Sequence, residues 1–235
     1  MSHYGLKNTI YKVLIDTSLV LGVERHIPSG IRWAAAHSFH SNWKLSQKRL
    51  YGEEEYNRRI DIRSQEILTL FYETGLDFTG QTVVDVGCGT RGVLPSITAA
   101  VKIGVDPSIG DVRHCFSFLS DTIYLSEKIE DCGLKDCTAD IVVCNNTLNH
   151  VENPELALAQ MHRILKPGGL MLLEVLIEPM NIAHTHAFTA EKLKNLVCGY
   201  FNPIKVKHEQ LYVGVDIDEK LDGKLPMRWG GVFKK

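Results

Sequence analysis

The chain has 235 residues, 44% of them hydrophobic and 23% charged, with a formal charge of −2. That make-up fits one globular domain with a small appendage and a sizeable core, and it excludes the global basic field expected of a nucleic-acid or anionic-membrane binder. The six cysteines (Cys88, Cys115, Cys132, Cys137, Cys144 and Cys198) include no CxxC pair and match no zinc spacing, so reduced structural thiols in a cytoplasmic protein are expected.

Residues 1–78 read as a helical extension rich in aromatic side chains. Its most apolar run, 13–21, is interrupted by Asp16 and too short to span a bilayer, so neither a membrane segment nor a targeting signal is expected. Ile27-Pro28-Ser29-Gly30 breaks the pattern. Between Glu53 and Thr74, Tyr56, Ile60, Ile62, Ile67, Leu68, Leu70 and Phe71 recur at roughly helical spacing, and Gly75 suits the left-handed stop. After Gly80 short apolar runs alternate with helical segments. Strands are predicted at 82–86, 102–105, 141–144, 170–175, 204–207 and 231–233, with helices at 93–100, 111–119 and 154–165. Strands interleaved with helices predict βαβ units, hence an α/β core over 79–235 with a mostly parallel sheet buried on both faces.

The first of these strands runs into Asp85-Val86-Gly87-Cys88-Gly89-Thr90-Arg91-Gly92. A Gly-x-Gly-x-x-Gly turn after a strand lets a ligand approach the backbone, but dinucleotide-binding proteins use it too. Asp85 argues against a dinucleotide, because a carboxylate there would repel a pyrophosphate yet could engage an ammonium group. Asp106 closes the next strand roughly 20 residues on, the spacing for a carboxylate that holds ribose hydroxyls. Leu165-Lys166-Pro167-Gly168-Gly169 is a turn signal before a strongly apolar strand.

Taken in order, the Asp-Val-Gly-Cys-Gly loop, Gly104-Val105-Asp106-Pro107, 140–145 and Leu-Lys-Pro-Gly-Gly resemble the class I S-adenosylmethionine (SAM)-dependent methyltransferases over about residues 80–175. The resemblance implies a Rossmann-like, mostly parallel seven-stranded sheet with helices on both faces and an N-terminal helical lid. It also implies SAM as cofactor: the backbones of Gly87, Cys88 and Gly89 against it, Asp85 near its ammonium, Asp106 on the ribose, Asn145 on the methionine portion. The family's adenine-binding Asp is missing, and Lys128-Ile129-Glu130 falls in its place, so adenine contact passes to the Ile129 backbone and apolar packing.

In open α/β sheets the site lies beyond the C-terminal strand ends, which puts two loops over the reacting centre. In 145–151, Asn149-His150-Val151 resembles the family's Leu-His-His-Val element with Asn for the first His. His150 could accept a proton from a substrate hydroxyl, or simply bond a backbone carbonyl. The second loop carries His184 and His186, with Thr189 as N-cap of a late helix. His186 is the second candidate base. A metal pair of the two is not expected, because no carboxylates accompany them. Trp33, His37, His40, Trp43, Tyr51 and Tyr56 suit a small-molecule pocket or, equally, simple core packing, and the N-terminal helices would cover the pocket or form a homodimer face. The expected activity is O-methylation of a small-molecule hydroxyl or phosphate-type oxygen, by analogy in a surface-sugar or secondary-metabolite pathway. The alternatives are N-methylation, a non-catalytic SAM-binding regulatory subunit and, less well supported, an NAD(P)-dependent oxidoreductase. Asn-Asn-Thr-Leu in place of a base-gripping Asn-Pro-Pro-Tyr argues against a DNA methyltransferase.

Overall fold

The structure, a computed structural model, describes residues 28–177, 184–210 and 227–235. The apolar run at 13–21 and residues 178–183 of the second active-site loop lie outside the described residues.

Seven strands make one sheet: β1 (Thr82–Val86), β2 (Val101–Val105), β3 (Thr122–Leu125), β4 (Ala139–Asn145), β5 (Leu165–Ile177), β6 (Asn202–Gln210) and β7 (Met227–Lys234), in the order β3-β2-β1-β4-β5-β7-β6. Only β7 runs antiparallel, to both β5 and β6. The mostly apolar character of β1 and β4 follows from burial on both faces. Val84, Val86, Val142, Cys144 and Leu173 pack with Leu158 and Met161 of α3 (Pro154–Ile164) and Leu193 and Val197 of α4 (Ala190–Cys198). Val83, Ile141, Val143 and Leu172 alternate with them onto the other face, against Ile67, Leu68 and Phe71 of the long helix α1 (Ser29–Tyr72). The Rossmann-like architecture expected from the sequence is therefore present. Among the described residues no helix is long and apolar enough to cross a membrane.

Helix α1 begins after Pro28 and is interrupted at Gly52 (φ 81°, ψ 165°), so residues 29–51 form one helical rod and 53–72 another. Gly75 has φ 75°, as its place after the helix requires. Asn153 caps α3, its side chain accepting from Leu156 N–H at 3.1 Å. Thr189 caps α4 as expected, accepting from Lys192 N–H at 3.2 Å. Thr189→Ala should lower stability by about 1 kcal/mol, read in thermal or urea denaturation, while Thr189→Ser should be near neutral.

Several expectations need correction. Residues 93–100 form only a 3-10 turn, Leu94–Ser96, the backbone being already extended at Ile97 (φ −121°, ψ 151°). The helix expected at 111–119 is the four-residue α2 (Ile109–Val112). Beyond it side chains from both rods of α1 take the backbone groups instead: Glu53 accepts from Ser117 N–H at 2.6 Å, and Lys48 donates to the Cys115 carbonyl. Strand β3 had no counterpart among the predicted elements. β5 starts five residues early, at Leu165, so Lys166-Pro167-Gly168-Gly169 lies inside an irregular strand start with Gly168 at φ 77°.

The chain leaves β1 toward β2 and β3, then returns to place β4 on β1's other side. That reversal opens a crevice at the C-terminal ends of β1 and β4, the usual ligand position in such sheets.

Candidate active site

At the exit of β1, Gly87 N–H donates to the Val105 carbonyl at 2.7 Å, clamping the glycine turn to β2. A Cβ on Gly87 (φ 75°) would lie 2.0 Å from Thr147 Oγ1, so only glycine lets the loop after β4 close over the turn. The Cys88 side chain packs against Gly104, and burial pushes its thiol well up. Asp85 is buried, and its Oδ2 accepts from Val93 N–H at 2.8 Å. With burial against it and that one bond in its favour, its carboxyl is pushed up to about 7, Asp106 adding to the rise.

Asp106 contrasts with it. Its Oδ2 accepts from Gly89 N–H at 2.8 Å, and its Oδ1 from Ser108 N–H at 2.8 Å and Ser108 Oγ at 2.5 Å. Lys44 of α1 donates to Ser108 Oγ and stands 3.6 Å from Asp106 Oδ1. Burial acts to raise the Asp106 carboxyl, but the Lys44 ammonium and the hydrogen bonds outweigh it, and the net displacement is downward. Two neighbouring carboxyls are thus displaced in opposite directions, because Asp106 has three hydrogen-bond donors and a nearby ammonium whereas Asp85 has one donor.

Lys44 belongs to a stripe on the first rod of α1. Four and seven residues along from His37, Ser41 and Lys44 share its face. His37 Nε2 lies 3.1 Å from Asp111 Oδ2, and Ser41 Oγ donates to the same oxygen at 2.9 Å. On the other side Trp33 stacks on His37, with Lys128 Nζ 3.7 Å from the Trp33 ring centroid and paired with Glu152 at 2.8 Å. The first rod is thus fastened across the crevice chiefly by polar contacts.

Deeper in, three imidazoles from three elements meet. His40 Nε2 of α1 is 3.1 Å from His150 Nδ1, and the His150 ring centroid is 4.9 Å from that of His184. His150 N–H is held by the Thr147 carbonyl at 2.8 Å. His186 is placed differently: its Nε2 meets the Glu152 carbonyl at 3.0 Å, outside the cavity lining. On another wall Arg228 of β7 reaches Glu66 at 2.5 Å and Glu174 at 3.6 Å. Among the described residues no group of three or more His, Cys, Asp or Glu side chains is placed to hold a metal ion.

Among these elements lies one cavity of about 590 Å³. Asp85, Gly87, Cys88, Gly89, Asp106, Ile129, Asn145 and His150, all singled out from the sequence, line it. So do Lys44, Ser108, His184, Glu174 and Arg228, which sequence reasoning did not assign to the site. Glu174 had a signal: a carboxylate inside the apolar run Leu172-Leu173-Glu174-Val175 needs a partner. Asn146 had none; it adopts φ 50° at the end of β4, and its Oδ1 is buried without a hydrogen bond.

Residues 84–173 match a family model described as a methyltransferase domain. The chain is 26% identical over 125 residues to a ubiquinone biosynthesis O-methyltransferase of Vibrio atlanticus, covering 50% of this chain and 53% of that one. It is 30% identical over 125 residues to a thiol S-methyltransferase, TMT1B, of Rattus norvegicus, covering 48% and 50%. The matches thus span about half the length of these curated relatives. Among solved structures, the N-methyltransferase NodS of Bradyrhizobium japonicum, in complex with S-adenosyl-L-homocysteine, superposes with TM-score 0.55 at 16% identity, covering 74% of this chain and 85% of that one.

Proposed function

From the premise that this chain carries a methyltransferase domain of the class I, SAM-dependent type, we propose that it methylates a hydroxyl oxygen of a small molecule, with residues up to 78 contributing the lid. One observation carries the reading: the glycine turn is bonded to Asp106 through Gly89 N–H, and His150 lines the same cavity. The residues suit the cofactor. Gly89 (φ 59°) leaves open space bounded only by Lys44, whose Cε and Nζ lie 3.5 Å from where a Cβ would sit. Asp106 is a carboxylate with capacity for ribose hydroxyls, Asp85 can ionise against an ammonium group, and Asn146 Oδ1 lacks a partner.

Gly87, Cys88 and Gly89 would hold the cofactor through their backbones, Asp106 its ribose, Ile129 its adenine and Asn145 its methionine portion. When bound, SAM supplies an electrophilic methyl group for in-line displacement. The protein's share is to hold the acceptor in line, exclude water and remove the proton. We assign that last role to His150. His186, its Nε2 on the Glu152 carbonyl, is the second candidate and the better placed to hold its loop.

The test has two stages. Calorimetry with S-adenosylhomocysteine and with NADH should show binding of the first alone. Methyl transfer to hydroxyl-bearing acceptors should then fall about 100-fold or more in kcat in His150→Ala, and less in His186→Ala. Unchanged turnover in both variants overturns the base assignment. Binding without transfer to any acceptor points instead to a regulatory subunit.

A further inference from the structure

We propose that His40, on the first rod of α1, is the positioning partner of His150: it selects the tautomer in which His150 can take a proton, so the base is complete only while this rod is fastened over the cavity. The inference rests on the reading of His150 as the base.

A hydrogen bond between two imidazoles needs one N–H and one lone pair. His40 Nε2 and His150 Nδ1 stand 3.1 Å apart, with the ring centroids 4.4 Å apart and the planes at 78°. When His150 Nδ1 carries the hydrogen and donates to His40 Nε2, the His150 Nε2 keeps its lone pair and is basic. When His40 donates, His150 Nε2 holds the hydrogen and the ring is no base. A second histidine therefore does here what an orienting acceptor does behind any catalytic imidazole. The proton balance is simple. The acceptor oxygen gains the methyl group and its proton passes to His150 Nε2. The resulting imidazolium donates from Nδ1 to His40, and the proton leaves to water with the products.

The contact joins residues 110 apart in the chain. His40 stands between His37 and Lys44 on α1, three residues after one and four before the other. Those two fasten the same rod to Asp111, Ser108 and Asp106, the last being the proposed ribose carboxylate. A helix turn is stiff over seven residues, so His40 cannot keep its place against His150 if the rod lifts from the cofactor loop. Proton uptake and cofactor enclosure are thereby linked through one rigid segment.

The titration of the pair is set among further groups. These are His37 from α1, Lys128 and Glu130 from the segment after β3, Glu152 from the loop after β4, and His184 and His186 from the loop after β5.

Nitrogen-15 imidazole NMR on the full chain, free and with S-adenosylhomocysteine, tests this without relying on turnover. His150 should be the Nδ1–H tautomer in the wild type. His40→Phe should convert it toward Nε2–H, and His40→Gln, whose amide oxygen accepts a hydrogen bond, should keep it. In turnover His40→Phe should lose about tenfold to 100-fold in kcat, with S-adenosylhomocysteine affinity and acceptor KM within twofold and the acid limb of the kcat–pH profile displaced. His40→Gln should recover most of the loss. An Nε2–H tautomer in the wild type, a tautomer indifferent to His40→Phe, or a loss confined to cofactor affinity overturns the proposal. Full turnover in His150→Ala instead removes the base reading, while the tautomer measurement still reports on the His40 contact.

Discussion

Asp106→Ala should bind S-adenosylhomocysteine about 100-fold more weakly than the wild type, measured by calorimetry. The carboxylate is expected to accept from two ribose hydroxyls, and hydrogen bonds to a charged group contribute about 1.5–3 kcal/mol each. The variant should also lose stability, for a separable reason. Gly89 N–H, Ser108 N–H and Ser108 Oγ all converge on this carboxylate, and Lys44 stands beside it with 9% of its surface exposed. Removing one partner of a buried ion pair leaves the other uncompensated, at a cost of about 3–5 kcal/mol. Adding Lys44→Met to Asp106→Ala removes the stranded ammonium and should restore part of the melting temperature. It should not restore affinity. Binding within threefold of wild type in Asp106→Ala would mean that the ribose is held elsewhere. The pH dependence has a definite sign. A carboxyl lowered in the folded state contributes stability that is present above its unfolded value and is lost as pH falls through its folded value.

The division between what the sequence showed and what it hid follows the range of the interactions. The glycine turn, Asp85 and Asp106 lie at strand ends whose apolar runs announce themselves, so that side of the cavity was readable. The Thr189 cap was readable for the same reason, since its partner is three residues away. Lys44 was not, and His40, though a pocket candidate that does line the cavity, gave no sign of its contact with His150. They sit on a helix whose pattern says only that it is amphipathic, and their partners lie 64 and 110 residues off. Strand β3 escaped because it is a four-residue edge strand with Ile123 55% exposed, too short and too wet for an apolar run. The helix expected at 111–119 failed for a tertiary reason, because Lys48 and Glu53 satisfy the backbone there in place of helical bonds. A histidine's partner, rather than its presence, separates the two candidate bases: His150 meets another ring nitrogen and His186 meets a carbonyl.

Asp85→Asn should be more stable than the wild type at pH 8 and yet a poorer binder. Burial pushes the Asp85 carboxyl up to about 7, the Val93 N–H bond opposing and Asp106 assisting. In the unfolded chain it ionises near the ordinary value of 3.8. Between the two values the folded protein holds a proton that the unfolded chain has released, so stability falls as pH rises from about 4 to about 7 and is level above. The difference corresponds to about 2–4 kcal/mol of destabilisation at pH 8, after allowance for relaxation of the site. Asparagine keeps an acceptor for Val93 N–H and carries no charge to bury, so urea denaturation of the variant should lack this slope. The same carboxyl has a use that asparagine cannot replace. Meeting the ammonium of the cofactor's amino acid should ionise it, so S-adenosylhomocysteine binding near pH 6.5 should release a proton. Calorimetry in buffers of different ionisation enthalpy reads that release directly. In Asp85→Asn the release should vanish and the affinity fall by about tenfold or more. Equal proton release in both proteins would place the ammonium away from Asp85, and an unchanged stability slope would show that this carboxyl stays ionised in the folded protein.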